Sequence, residues 1–298
     1  RSVDGGLTFS DTIRVSDNSN THKFAMPNIG IREDGNPVIS YMESTTSWLD
    51  WKQMVKTSFN FGTTFSAAVD VSALAPGEPC DCCQSTLVTK GNNVYLLFRN
   101  NDNNVRNTYI AKSADNGVTF ISTQDLDDVN WVLNSCPTSS PVGAVLGDSI
   151  MVVRRNGGSG INELYKSNVN ANDLQKSYFA KVEYTGSSLQ DKVEIAAANI
   201  ATGVFVSVWE ENRNGNKECF YNVQASDGES LHNSVLSDTT TFGHKLNPDI
   251  AYGGPNAADV FSIVYTASTA HEVHFLYSPL MFVSAVNELG GMGNKQLL

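Results

Sequence analysis

Ser2-Val3-Asp4-Gly5-Gly6-Leu7-Thr8-Phe9 decides the fold because it returns twice, as Ser58-Phe59-Asn60-Phe61-Gly62-Thr63-Thr64-Phe65 and as Ser113-Ala114-Asp115-Asn116-Gly117-Val118-Thr119-Phe120. The leading serines are 56 and then 55 residues apart. A fixed period of that size marks a repeat architecture. Each copy holds turn chemistry. An Asp or Asn side chain can accept hydrogen bonds from nearby backbone, Gly supplies positive φ, and the closing aromatic can reach the layer beneath.

The period extends through the chain. Short β-branched and aromatic runs recur at close to 55 residues: Val38-Ile39-Ser40-Tyr41, Val94-Tyr95-Leu96-Leu97-Phe98, Ile150-Met151-Val152-Val153, Phe205-Val206-Ser207-Val208-Trp209 and Phe261-Ser262-Ile263-Val264-Tyr265. Each is the second strand of a unit of four, bounded by Gly, Asn and Asp. No sustained helical periodicity competes, and 170–176 is the one stretch where a helical turn is expected. Five full units run from about 22 to 292, the last with a fourth strand at Val283-Ser284-Ala285-Val286. The first octapeptide, with a strand Thr12-Ile13-Arg14-Val15, is the tail of another unit. The expected fold is all-β: one domain over 1–298, a six-bladed β-propeller of four-stranded antiparallel blades with its first blade incomplete. A five-bladed ring closed by the N-terminal strand is the alternative. An unpaired sheet edge is a liability, so another segment or chain is expected to complete the first blade.

Composition narrows the partners. The net charge of −11 disfavours nucleic acid and anionic membranes. No apolar run approaches the roughly 20 residues that span a bilayer, so membrane insertion is not expected. The chain opens mid-motif at Arg1, so a removed or missing N-terminal segment is expected. Polar loops such as Asn100-Asn101-Asp102-Asn103-Asn104 suit a secreted protein, placed outside the cell, on its surface or in a periplasm.

In four-stranded propeller blades the first strands line the axis. The segments leading into them share one end of the channel with the loops between second and third strands, and ligands usually bind there. Two features concentrate at that end. The first is the set of lead-in segments. His22-Lys23-Phe24-Ala25-Met26-Pro27-Asn28-Ile29 resembles His244-Lys245-Leu246-Asn247-Pro248-Asp249-Ile250, with histidines 222 residues apart, four periods of 55.5. Between them stand Cys80-Asp81-Cys82-Cys83-Gln84 and Ser135-Cys136-Pro137. His22, Cys82, Cys83, Cys136 and His244 are therefore candidate ligands for Zn or Cu. The alternative is a disulfide from Cys136 to one of Cys80, Cys82 and Cys83, stapling adjacent blades. Cys219, on a third strand, reads as a packed thiol.

The second feature is the rim where the second strands end. Glu43, Arg99, Arg106, Arg155 and Glu211 are candidate ligand-binding residues there, since guanidinium groups bind carboxylate or sulfate bidentately. Glu210 and Tyr265 are the candidate base and nucleophile of a glycosidase. Trp48 and Trp51 are candidates to stack on sugar faces, and Trp209 reads as core.

The octapeptide resembles the Asp-box, S-x-D-x-G-x-T-F/W, of sialidases and related β-propellers. That resemblance covers essentially the whole chain for fold and implies structural boxes on the face opposite the ligand site. It also implies a terminal acidic sugar as substrate if the chain is an exo-glycosidase; Arg99 and Arg155, candidates by blade position and not by motif, would then grip the carboxylate. Sialidases of this kind carry an Arg-Ile-Pro segment near their start, and none occurs here. The reading is therefore a secreted or surface propeller that binds a glycan, metal or protein partner without catalysis, with the exo-glycosidase as alternative.

Overall fold

The computed structural model describes residues 1–17, 19–182, 189–198, 203–213, 215–237, 243–253, 260–268 and 272–279. They fall into two compact units, 1–125 with 132–140, and 126–131 with the described residues from 141 to 279. The described structure is all-β, and its one helical element is a 3-10 turn at Ser72–Leu74. At 170–176 there is a turn closed by the Leu174 N–H donating to Asn170 O at 2.9 Å, with no helix beyond it.

The first unit contains two antiparallel sheets. One runs β1 (His22–Ile31), β2 (Pro37–Thr45), β3 (Lys52–Thr57) and β4 (Val69–Asp70), each strand beside the next in sequence. The other has β5 (Glu78–Pro79) and β6 (Thr86–Lys90) on β7 (Asn93–Asn101), followed by β8 (Thr108–Ser113) and β9 (Ser122–Asp125). Their apolar faces meet in a cluster that includes Val38, Val55, Leu87, Val94, Leu96, Phe98, Ala111 and Phe120.

The second unit repeats the plan. β10 (Val142–Leu146), β11 (Ser149–Asn156), β12 (Glu163–Asn170) and β13 (Ala180–Lys181) form one four-stranded sheet. β14 (Leu189–Ala198), β15 (Val204–Arg213), β16 (Asn216–Ala225) and β17 (Ser230–Val235) form the next. β18 (Lys245–Tyr252), β19 (Val260–Ala267) and β20 (Glu272–Pro279) follow. The expected strand at Val283–Val286 lies outside the described residues.

All five expected second strands are present as β2, β7, β11, β15 and β19, and each runs further than its apolar core. The extra length carries Glu43, Arg99, Arg154, Arg155, Glu210 and Glu211 inside the ladders rather than on loop tips. Thr12–Val15, expected as a strand, pairs with nothing as a ladder; extended chain becomes a strand only where a neighbour offers its hydrogen bonds. Beside it lies an apolar groove with a cavity volume of about 730 Å³, lined in part by Phe9, Ile13, Ile29, Ile31 and Phe61.

The three octapeptides make one hydrogen-bonding scheme. In the first, Ser2 Oγ donates to Asp4 Oδ1 at 2.6 Å and accepts from Gly6 N at 2.8 Å, while Thr8 N and Oγ1 donate to the Asp4 carboxylate at 3.0 and 2.6 Å. Ser113, Asp115, Gly117 and Thr119 repeat it at 2.7, 2.8, 2.8 and 2.6 Å. Ser58, Asn60, Gly62 and Thr64 form the same ring with an amide in place of the carboxylate, so that Asn60 Nδ2 donates to Thr64 Oγ1 at 2.9 Å where the carboxylates accept. Gly6, Gly62 and Gly117 hold φ of +90°, +79° and +85°, which a Cβ would strain. Phe120 is buried as expected of the closing aromatic, whereas Phe9 is exposed.

These rings predict an acid response. Hydrogen bonds from Ser2 and then Thr8 hold the Asp4 carboxyl well below its ordinary range. At Asp115 slight burial opposes ionisation but is outweighed by donors from Thr119, Ser113 and Val118, so its pKa is also lowered. A depressed folded pKa gives stability that is present above the unfolded value, near 3.8, and is lost as pH falls through the folded value. Thermal unfolding followed from about pH 5 down to about pH 2 should show this loss. Asp115→Ala should lower stability by about 1 kcal/mol at neutral pH and flatten the acid slope. An unchanged slope would refute the role given to the carboxylate.

Candidate functional site

Two groups of side chains in the first unit stand out, and they share residues. The first begins at the β2–β3 loop, at the end of β3 opposite the octapeptide turn that follows it. Thr45 N donates to Leu49 O at 2.9 Å, and Thr45 Oγ1 both donates to Leu49 O and accepts from Leu49 N. Inside this loop Trp48 and Asp50 hold φ of +60° and +56°. Left-handed backbone is costly for a bulky side chain and persists where surrounding bonds enforce it. The result is a Trp48 ring left 54% exposed, tilted 33° against Trp51 with centroids 5.7 Å apart. Lys23 Nζ lies 5.7 Å from the Trp48 ring centre, within reach of a cation–π contact. The pair walls a cleft with a cavity volume of about 290 Å³, whose other walls include Asp50, Glu78, Asp81, Asn101 and Arg106.

The second group is the sulfur cluster behind that wall. β5 pairs with Asn100 and Asn101 of β7, and Cys80 N continues the pairing by donating to Arg99 O at 2.8 Å. The chain then turns, with Cys83 N donating to Cys80 O at 3.2 Å. Gly77 permits the approach: its φ is +73°, and a Cβ there would meet Asn101 O at 2.4 Å. Cys82 and Cys136 are joined as a disulfide with Cα atoms 6.3 Å apart. Cys80 and Cys83 are free and buried. The four Sγ atoms lie within 4.8 Å of one another. Arg106 Nη1 donates to Cys80 Sγ at 3.6 Å and its Nε to Leu133 O at 3.3 Å, so one guanidinium joins the cluster to the cleft. The Cys83 thiol donates to Cys80 Sγ at 3.3 Å. That hydrogen bond, against burial and helped by the Cys82 N–H and the Arg106 and Arg99 charges, brings the Cys80 thiol down to about 7. Cys83, holding the shared proton beside it and buried, is pushed up.

The other candidate side chains have defined places. His22 Nδ1 bonds the Ser19 and Thr21 hydroxyls, and its Nε2 lies 3.9 Å from Glu43. Among the described residues no histidine joins the sulfur group. Arg99 is buried and donates to Ser139 O at 3.2 Å and Arg106 O at 2.6 Å.

In the second unit the rim charges brace β-bulges. Register shifts occur there at Asp191–Glu194 of β14 and Leu246–Asp249 of β18, and in the first unit at Ala25–Asn28 of β1, with Lys192, Asn247 and Met26 all at φ +51°. Thr138 falls in phase with them at φ +46°. Arg155 donates to Asp191, at one bulge, at 2.5 Å. Glu210 accepts from Asn247 N, at another, at 2.7 Å and from Lys217 Nζ at 2.7 Å. Glu211 accepts from Gln190 and from the Trp209 indole, each at 3.0 Å. Tyr265 is buried in an apolar cluster, its ring stacked on His274 at 4.9 Å. His244 accepts from Lys217 N at 3.1 Å. Trp209 and Cys219 are core, and burial pushes the Cys219 thiol up. The bulges are not legible from residue types, because a one-residue shift leaves no compositional trace when Met, Lys and Asn all occupy it.

No family model matches this sequence, and no curated protein matches it. Solved structures do. A Dyadobacter fermentans protein of unknown function is similar at 10% identity with a TM-score of 0.59, over 88% of this chain and 80% of that one. The GH93 α-L-arabinofuranosidase of Fusarium graminearum, in complex with arabinobiose, is similar at 11% identity and 0.56, over 90% and 81%. A Hadza microbial sialidase is similar at 11% and 0.55, over 87% of this chain and 53% of that one. At these identities the likeness establishes fold alone. The fold is that of sialidase-like β-propellers.

Proposed function

We propose that this chain is a non-catalytic carbohydrate-binding propeller that holds a neutral oligosaccharide in the Trp48–Trp51 cleft. The observation that carries this reading is the exposed, strained Trp48 ring paired with Trp51 over a cleft walled by Asp50, Glu78 and Asp81. An exposed aromatic face offers apolar surface to the C–H face of a sugar, and carboxylates accept from its hydroxyls. Three carboxylates against the one Arg106 guanidinium, on a chain of charge −11, repel sialate or uronate. The similar arabinofuranosidase was solved with arabinobiose, a neutral sugar, which favours that class.

The non-catalytic part rests on the engagement of the candidate catalytic groups. Glu210 is held by Lys217 and Asn247, and Tyr265 is packed in the core. The same reading takes 1–298 as one six-bladed propeller domain and the octapeptides as its Asp-boxes. It places the protein outside the cytoplasm, where a disulfide such as Cys82–Cys136 can form.

Calorimetric titration of the full chain with a panel of neutral and sialylated oligosaccharides tests it. Expected are binding of a neutral member, no binding of sialyllactose, and no release of reducing sugar. Trp48→Ala should weaken binding at least tenfold with unchanged unfolding temperature, since its ring is exposed. Binding confined to sialylated sugars, or equal in Trp48→Ala, would refute the assignment.

A further inference from the structure

The cysteine cluster is larger than its disulfide requires. A single cross-link between Cys82 and Cys136 uses two sulfurs, yet two further thiols, Cys80 and Cys83, are folded against it and shut away from solvent. Burial of an inert thiol needs only apolar neighbours. Here the neighbours of each thiol are other sulfurs. Cys80 Sγ stands 3.3 Å from Cys83, 3.8 Å from Cys82 and 3.9 Å from Cys136. In a tetrahedron of four sulfurs around zinc, a Zn–S bond of about 2.3 Å sets the sulfur–sulfur edge at about 3.8 Å. The cluster is already close to that figure around Cys80.

We propose that Cys80, Cys82, Cys83 and Cys136 form a tetrathiolate zinc site, assembled when the Cys82–Cys136 disulfide is reduced and dismantled when it is oxidised. The reductant is a dithiol. One of its thiolates attacks a disulfide sulfur, its second thiol releases the mixed disulfide, and two electrons and two protons pass to Cys82 and Cys136 as the dithiol becomes a disulfide. Zinc then displaces four protons from four thiols and is held by four thiolates at a net charge of −2. The surroundings match that charge. Arg106 and Arg99 bring two positive charges, with an Arg106 N–H aimed at Cys80 Sγ. Thr138 N donates to Cys136 Sγ at 3.4 Å. Donors to ligand sulfurs orient and stabilise thiolate sites. Four sulfurs in tetrahedral array select zinc among the common divalent ions. No imidazole takes part, since His22 is bonded to hydroxyls.

The full chain, reduced with a dithiol and desalted anaerobically into a buffer free of chelators, is titrated with Zn²⁺ alone and with Co²⁺ as a spectroscopic probe. The expected result is one equivalent of zinc per chain. Cobalt should give the intense visible bands and near-ultraviolet charge transfer of tetrahedral thiolate coordination. Oxidation to the disulfide should release the metal. Cys80→Ser and Cys83→Ser, which leave the disulfide intact, should bind at least a hundredfold more weakly, whereas Cys219→Ser should bind as the parent does. In the unmodified protein, zinc should protect Cys80, Cys82, Cys83 and Cys136 from alkylation read by peptide mass, whatever the variants' folding. Substoichiometric binding, metal retained equally after oxidation, or alkylation unaffected by zinc would overturn the proposal. None of these outcomes depends on sugar binding.

Discussion

Asp127→Ala is expected to destabilise the second unit by about 3–5 kcal/mol, the cost of leaving a buried charge without its partner. Arg154 and Asp127 are fully buried and joined at 2.9 Å. The guanidinium also donates to Ser167 Oγ at 2.9 Å and to Leu126 O, and lies 5.0 Å from the Phe179 ring centre. Removing the carboxylate leaves the buried guanidinium's charge without its counter-charge. Exchanging both residues, as Arg154→Met with Asp127→Leu, should cost much less, because a buried ion pair repays little beyond its own desolvation. Urea unfolding of the two variants measures the difference. Equal losses in both, or a loss below about 1 kcal/mol in the first, would contradict the account.

The second large effect is on the first unit. Cys82→Ser should destabilise it by about 4 kcal/mol in the absence of zinc and reductant, the chain-entropy value for a loop of this length. The cross-link spans a sequence separation of 54 and ties the turn after β5 to the Cys136 segment. Cys136→Ser should cost the same, and the double variant no more than either single one. A double variant markedly weaker than both would show that the two residues stabilise the unit by separate means.

How much of this was legible in the sequence follows from what each feature needs. The octapeptide period needed only turn residues at fixed spacing, and it located every second strand. Strand length was misjudged at Arg99, Arg155 and Glu210 for a physical reason. A charge usually ends a buried strand, but here each is buried with a partner: Ser139 O for Arg99, Asp191 for Arg155, Lys217 for Glu210. Those partners stand 40, 36 and 7 residues away, and no local pattern announces them. Read from sequence alone, the same side chains form a candidate ligand rim. The lead-in alignment, by contrast, brought Cys136 to the Cys80–Cys83 cluster, although which sulfur it bonds depended on a turn geometry set by Gly77 and Cys83. Trp48 and Trp51 could be named as sugar-stacking candidates from type alone. Their joint cleft with Asp81 and Arg106 could not, since it depends on the Thr45–Leu49 bonds and on the Cys80 turn.

On the proposed function, the Trp48–Trp51 cleft, and not the charges within the second strands, receives the ligand. A crystal structure of the full chain soaked with a neutral oligosaccharide selected by titration tests this most directly. The expected density is a sugar ring lying on Trp48 or Trp51 with hydroxyls donating to Asp50, Glu78 or Asp81. Also expected are an intact glycosidic bond and no turnover to be abolished by Glu210→Gln. A sugar seated against Glu210 or Tyr265, with hydrolysis lost in Glu210→Gln, would contradict the proposed function.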